Sequence, residues 1–292
     1  MHFTKMHGLG NDYLYVFGEV PENIEELSIR LSDRHFGAGS DGMIYISPSD
    51  KADFQMRIFN ADGSEAKMCG NGIRCVGKYV YDKGYTDKTR LKIDTLSGIK
   101  YLNLEIMAGS VVSVSVDMGE GTDNGDITLS VPNTSKNYSC IASALQKYEL
   151  PSGSNSFELS NDSLEVTLKS ISTGNPHAII FVKDAENVPL TTLGPIIEKH
   201  EKFPDGVNVE FVEVLSRNEI RMRVWERGSG VTMACGTGAC ATVVAACENG
   251  FCKKDEDIRV ILKGGDLIIR YTDDTVYMTG NCAKVFEGRM EI

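Results

Sequence analysis

Displaced by 166 positions, the 292-residue sequence lies back on itself without a gap. Arg57-Ile58-Phe59 falls on Arg223-Val224-Trp225, and Cys69-Gly70-x-Gly72 on Cys235-Gly236-x-Gly238. Gly84-Tyr85 falls on Gly250-Phe251, and Gly98 on Gly264. Asn60 falls on Glu226, so the scaffold repeats while some polar positions change. A slightly shifted echo pairs "GLGNDY" around Asn11 with "STGNPHA" around Asn175. A chain built this way is expected to fold as two like halves, and its length suffices for two domains that each bury a core.

The repeated unit has a physical reading. "ADFQMRIFN" and "EIRMRVWER" alternate apolar with polar residues, as half-buried strands do. A glycine-rich turn then runs to each cysteine, and a helix begins. In the first copy Ile73, Val76 and Val80 share helical spacing and Gly84 stands as the residue just past its end. The second copy, "ACATVVAACEN", is apolar nearly all round, which predicts a helix buried on every side. Short alternating stretches such as "VVSVSVDMG" and "TVYMTGNCA" follow. The expected class is α+β: two similar domains related by a pseudo-twofold axis, each a curled mixed sheet or barrel around one central helix. The boundaries fall at 1–117, with the tail 281–292 returning to that domain, and at 118–280; "DMGEGTDNGD" (117–126) forms the link. The stretch 132–162 has no counterpart and is read as a surface elaboration of the second domain.

A net charge of −11 argues against nucleic acid or an anionic membrane as a partner, because both are bound through Lys and Arg. A small-molecule substrate remains, and a local basic pocket for a carboxylate is compatible with that balance. "MHFTKMHGLGNDY" lacks the apolar core and small-residue cleavage site of a secretory signal. No run approaches the roughly 18 apolar residues of a membrane span. The expected location is the cytoplasm, where the eight cysteines would be reduced thiols. None forms a C-x-x-C pair, so neither a metal nor a thioredoxin-like redox site is expected.

A thiol at a helix N-terminus faces unpaired backbone N–H groups and the positive end of the helix dipole, and both favour thiolate. Glycine at the next positions lets backbone amides approach an anion closely. One such copy fits a packing role equally well, since cysteine is among the most buried residues. Recurrence at the same point of a duplicated unit favours chemistry. Cys75, Cys140, Cys240, Cys247, Cys252 and Cys282 have no partner in the repeat and are read as small core or surface residues. If both helix mouths open into one cleft, one thiolate can take a proton from one face of a carbon while a thiol on the other side delivers one. The amides of Gly70, Asn71, Gly236 and Thr237 could then hold an α-carboxylate.

With these residues in view, the sequence resembles the diaminopimelate epimerase family. The resemblance is carried by "KMHGLGNDY" (5–13), "FNADGSEAKMCGNGIRC" (59–75), "TGNPHAIIFV" (173–182), "FPDGVNV" (203–209), "VWERGSGVTMACGTGAC" (224–240) and "VFEG" (285–288). It implies interconversion of LL- and meso-diaminopimelate, in lysine and peptidoglycan-precursor synthesis, without pyridoxal phosphate, metal or nucleotide. It further implies Cys69 and Cys235 as the acid/base pair, and Asn11, Asn60, Asn175, Asn208, Glu226 and Arg227 as holders of the substrate's amino and carboxylate groups. His177 and Glu226 would adjust the thiols, His177 beside Cys69 and Glu226 beside Cys235. A homodimer is common in such enzymes. Some members carry a Gln where Gly42 follows Asp41, so Gly42 receives no role. Two alternatives stay open: a two-cysteine racemase acting on proline or hydroxyproline, and a thiol-redox protein using the same pair.

Overall fold

The computed structural model describes residues 1–132, 157–159 and 163–291. Most of the 132–162 stretch, Cys140 included, lies outside the described residues. The chain divides into two compact units, Met1–Asp117 with Thr279–Ile292, and Met118–Met278.

In the first unit the strands are β1 (His2–Gly8), β2 (Asn11–Phe17), β3 (Gly42–Ser47), β4 (Phe54–Asn60), β5 (Glu65–Ala66), β6 (Arg90–Thr95), β7 (Gly98–Met107) and β8 (Ser110–Asp117). In the second they are β9 (Thr122–Pro132), β10 (Phe157–Leu159), β11 (Ser163–Ser172), β12 (Pro176–Phe181), β13 (Asn208–Ser216), β14 (Glu219–Glu226), β15 (Gly230–Val231), β16 (Ile258–Leu262) and β17 (Gly265–Tyr271). The chain leaves the second unit along β18 (Val276–Gly280) and ends in the first with β19 (Ala283–Arg289). The helices are α1 (Ile24–Ser32), α2 (Gly70–Asp82), α3 (Leu190–Glu198) and α4 (Gly236–Glu248).

Both units follow one path. β2 runs parallel to β3 across α1, and β4 parallel to β6 across α2. β12 runs parallel to β13 across α3, and β14 parallel to β16 across α4. Parallel neighbours need such crossovers, because a tight hairpin cannot reverse the chain twice. β1 pairs antiparallel with β2 and β19, as β11 does with β12 and β9. The C-terminal strand therefore fills, in the first unit, the edge that β9 fills in the second.

The registers also locate a slip in the repeat. Phe54 pairs with Ile93 and Ile220 with Val260, an offset of 166 on the first strand and 167 on the second. One extra residue thus lies between α4 and β16. The hairpin glycine opposite Thr95 is Gly98, and its counterpart opposite Leu262 is Gly265, not the Gly264 that the gap-free alignment selects.

Each sheet is covered on both faces. α2 packs against β1, β2, β7 and β8, strands from opposite ends of its sheet, so the sheet curls round it. α4 does the same with β9, β11, β12, β13, β14 and β17. Gly238 to Ala246 of α4 are all buried, as the lack of a polar face predicts. On the outer faces, Ile24, Leu27 and Leu31 of α1 join Leu14, Met43 and Phe59, while Leu190, Leu193 and Ile197 of α3 join Val207, Val209 and Phe211. α2 closes as expected: Lys83 caps it and Gly84 takes the left-handed conformation at φ 75°. Among the described residues, no helix is long and apolar enough to cross a membrane.

Ile73 is wholly buried on α2, one turn past Cys69. Ile73→Ala is expected to cost about 2–5 kcal/mol of stability in urea denaturation, whereas Glu105→Ala on an exposed position of β7 stays within about 0.5 kcal/mol.

Candidate active site

The two central helices begin in the same way. Cys69 is the N-cap of α2 in extended conformation, φ −140° and ψ 112°, and its Sγ accepts the Gly72 N–H at 3.3 Å. Cys235 caps α4 with φ −109° and ψ 111°, and its Sγ accepts the Gly238 N–H at 3.3 Å. An N-cap side chain normally offers oxygen to the third helical amide. Here sulfur does so twice, with the first-turn amides of Gly70 and Asn71, and of Gly236 and Thr237, beside it.

In the first unit Cys69 is half-buried and its Sγ donates to Asn11 Oδ1 at 3.2 Å. The amide of Asn11 is held in turn, because its Nδ2 donates to Asp41 Oδ2 at 2.8 Å. Asp41 also takes the Asp12 N–H at 3.0 Å and Arg34 at 2.9 Å. Tyr13 is buried at the same place. Desolvation first, then the neighbouring Cys69 sulfur, pushes its phenol well above the ordinary value. Asn60, at the end of β4, donates to Ser64 Oγ at 3.1 Å. Asn71 is buried and its Oδ1 accepts from the buried Arg74 at 2.9 Å.

The second unit surrounds its sulfur with more polar groups. Cys235 Sγ lies 3.5 Å from Thr237 Oγ1, which receives Asn175 Nδ2 at 3.3 Å. His177 is completely buried between Asn175 Oδ1 at 3.0 Å from its Nε2 and Glu210 Oε1 at 2.7 Å from its Nδ1. Glu226, at the end of β14, accepts from Thr232 Oγ1. Burial raises the Glu226 carboxyl above its usual range, against the pull of Thr232. Asn208 is buried with its amide engaged at both ends: Nδ2 donates to Pro176 O and Oδ1 accepts the Arg227 N–H, each at 3.0 Å. It thereby anchors the turn carrying Arg227, whose exposed guanidinium donates to Asp205 O at 3.0 Å.

At Cys235 two influences on the thiol oppose one another. The helix terminus was expected to favour thiolate, yet Cys235 is pushed well above the ordinary thiol value, by burial first and then by Glu226 and Glu210. The terminal amides and dipole contribute about 0.3–2 kcal/mol. Desolvating an anion between two carboxylates outweighs that. The Gly42 position is likewise filled: a Cβ there would lie 2.9 Å from Asn60 Cα and 3.0 Å from Tyr13 Cε1. No side chain fits at this position.

The shared registers superpose the two halves residue by residue. Tyr13 pairs with Gly42 as His177 pairs with Asn208. Ile44 packs on Gly72 as Glu210 packs on Gly238. The first unit thus carries Tyr13, Ile44 and Asn60 where the second carries His177, Glu210 and Glu226. Sequence reasoning missed Tyr13, Asp41 and Glu210. The Asn11–Asn175 echo, extended by two residues, already aligned Tyr13 with His177. Among the described residues, no group of three or more His, Cys, Asp or Glu side chains is placed to hold a metal ion. The unmatched cysteines 75, 240, 252 and 282 are buried, and Cys247 is half-buried.

A profile of the diaminopimelate epimerase family matches residues 3–122 and 169–285, passing over the region that holds the 132–162 stretch. The diaminopimelate epimerase of Agathobacter rectalis is 51% identical over 297 residues, covering 100% of both chains. That of Acetivibrio thermocellus is 47% identical over 296 residues, covering 100% of this chain and 99% of the relative. A probable proline racemase from Agrobacterium radiobacter superposes with a TM-score of 0.70 at 15% identity, over 100% of this chain and 93% of the other, and so shares the fold. With a match of this extent, the chain belongs to the diaminopimelate epimerase family.

Proposed function

We propose that this protein interconverts LL- and meso-diaminopimelate by moving a proton off one face of the α-carbon and onto the other, with Cys69 and Cys235 as the two acid/base groups. The observation that carries this reading is the twice-built cap, a sulfur held 3.3 Å from the third amide of a buried helix in each unit. Inversion at carbon needs a proton acceptor on one face and a donor on the other. A duplicated unit supplies one sulfur for each.

Cys235 suits the donor role. Its buried position, flanked by Glu226 and Glu210, keeps the proton on sulfur. When Cys69 removes the α-proton, the Cys235 thiol delivers its own to the opposite face, and the reverse reaction exchanges the roles. The carbanionic charge spreads into the α-carboxylate. The amides of Gly70, Asn71, Gly236 and Thr237 are the donors proposed to stabilise it. Asn11, Asn60 and Asn175 are proposed to take the substrate's polar groups, and Arg227 its distal carboxylate through guanidinium donors beyond the one on Asp205. Asn208 serves that binding indirectly, by holding the backbone of Arg227. His177 and Glu226 are proposed to tune the sulfurs. No cofactor has a step in this scheme, and its need for two free thiols suits a reducing compartment such as the cytoplasm.

Incubation with LL-diaminopimelate in D₂O is expected to exchange the α-proton and yield the meso isomer, while L-proline stays unexchanged; exchange of proline alone would refute the substrate assignment. Cys69→Ala and Cys235→Ala are each expected to lower epimerisation by at least about 10³-fold, since neither face can be served without its sulfur. Undiminished turnover in either variant would exclude two-base chemistry. Because the Glu226 carboxylate raises the Cys235 thiol, Glu226→Gln is expected to speed alkylation of Cys235 by iodoacetamide about three- to tenfold at fixed neutral pH. Peptide mass spectrometry reads this, with Cys69 as internal control.

A further inference from the structure

Glu210 is a fully buried acid on β13 whose only part in the reaction above is the charge it sets near Cys235. A Cβ added at Gly238 would lie 2.5 Å from its Oε1 and 3.2 Å from Cys235 Sγ, so the carboxylate and the sulfur share the surface of that glycine. Holding a carboxylate there costs several kcal/mol. Packing alone does not require it, because Ile44 occupies the same place in the first unit. Its Oε2 has no hydrogen-bond partner among the described residues, and its Oε1 is committed to His177 Nδ1 at 2.7 Å.

That single commitment has a defined consequence. With Glu210 as a carboxylate, which only accepts, the hydrogen between the two groups belongs to Nδ1 of His177, and the changeable nitrogen is Nε2. Nε2 faces the amide of Asn175, the amide faces Thr237 Oγ1, and the hydroxyl faces Cys235 Sγ. When Nε2 bears a hydrogen it donates to Asn175 Oδ1. The amide nitrogen then donates to Thr237, whose own hydrogen is free for the sulfur and supports thiolate. When Nε2 is bare, the amide turns to donate to it. Oδ1 then receives the Thr237 hydroxyl, whose lone pairs are left to accept S–H and support thiol. The chain reverses as a unit, and it can do so only while Nδ1 is held as a donor. Without that restraint, a neutral ring would keep a hydrogen on Nε2 and freeze the chain in one sense.

We propose that Glu210 is a positioning residue that holds His177 in the Nδ1–H form, so that the hydrogen on the ring's other nitrogen is read at the Cys235 sulfur through Asn175 and Thr237. This rests on Cys235 being one of the two acid/base groups.

The ring itself is the test. Long-range ¹H–¹⁵N spectra of the full chain, with His177 assigned by loss of its signal in His177→Gln, are expected to show hydrogen on Nδ1. In Glu210→Leu the neutral ring is expected to carry its hydrogen on Nε2, with kcat lowered at least about tenfold in both directions and KM within about twofold. Thr237→Val cuts the chain at its last link and Thr237→Ser keeps it. Serine is therefore expected to retain kcat within about threefold, and Glu210→Leu to add no more than about twofold to the loss caused by valine. A wild-type ring whose only hydrogen sits on Nε2 overturns the proposal, and that spectrum decides even if the leucine variant does not fold. So does a further tenfold loss in the Glu210→Leu/Thr237→Val double variant. The ring is read without substrate, so failure there leaves the epimerase reading standing, whereas failure of diaminopimelate exchange removes that reading and leaves the tautomer result intact.

Discussion

The structure turns on a sulfur accepting the third amide of a helix that is buried in a curled sheet. That cap needs an extended residue at the end of a strand–turn segment, a glycine-rich first turn, and a helix whose sides can all face apolar strands. Each requirement constrains the next. The helix must be apolar because the sheet closes round it, and the sheet closes because strands from both of its ends pack on one helix. Gly72 and Gly238 are needed because a Cβ at either would lie within 3.0 Å of Ile44 Cδ1 or Glu210 Oε1.

Duplication preserved this frame and let its polar positions diverge. Apolar residues of β4 and β14, and the caps of α2 and α4, are fixed by packing and backbone geometry, which are the same in both units. Side chains that border the sulfur answer to chemistry instead. Tyr13 stands where His177 stands, near the start of a strand, and Asn60 where Glu226 stands, at the end of one. Ile44 and Glu210 show the difference most clearly. One is a routine core residue, while the other is an acid whose burial makes physical sense only through the histidine it holds.

Much of this was legible in the sequence because it repeats at structural punctuation. The cysteines, the glycines closing each helix, and the alternating strands are local signals with local causes. The one-residue slip before β16 was invisible to a gap-free comparison, because both Gly264 and Gly265 offer a glycine near the hairpin. Glu210 was missed for a related reason. In "GVNVEFVEV" it alternates like any strand residue that faces solvent, and only the curl of the sheet turns that face inward onto α4. The resemblance implies Asn208 as a holder of substrate. The structure adds a second task that the sequence does not announce, a backbone to be held, Pro176 on one side and Arg227 on the other.

The sulfur's protonation shows why position in a fold outranks motif. At an exposed helix N-terminus, orphan amides and the dipole would decide, and the thiol would ionise readily. Cys235 has the same amides, but α4 is buried from its first residue and two carboxylates stand nearby. Loss of water scales with the full charge of the anion, while the dipole acts through about half a charge at the helix end. Burial therefore wins, and the sulfur at this helix N-terminus keeps its proton. A base made by the dipole alone would hold one form. A thiol set between a donor amide, a hydroxyl and a buried acid–imidazole pair holds its proton through desolvation, while that amide and hydroxyl stand beside the sulfur to receive charge if the proton leaves.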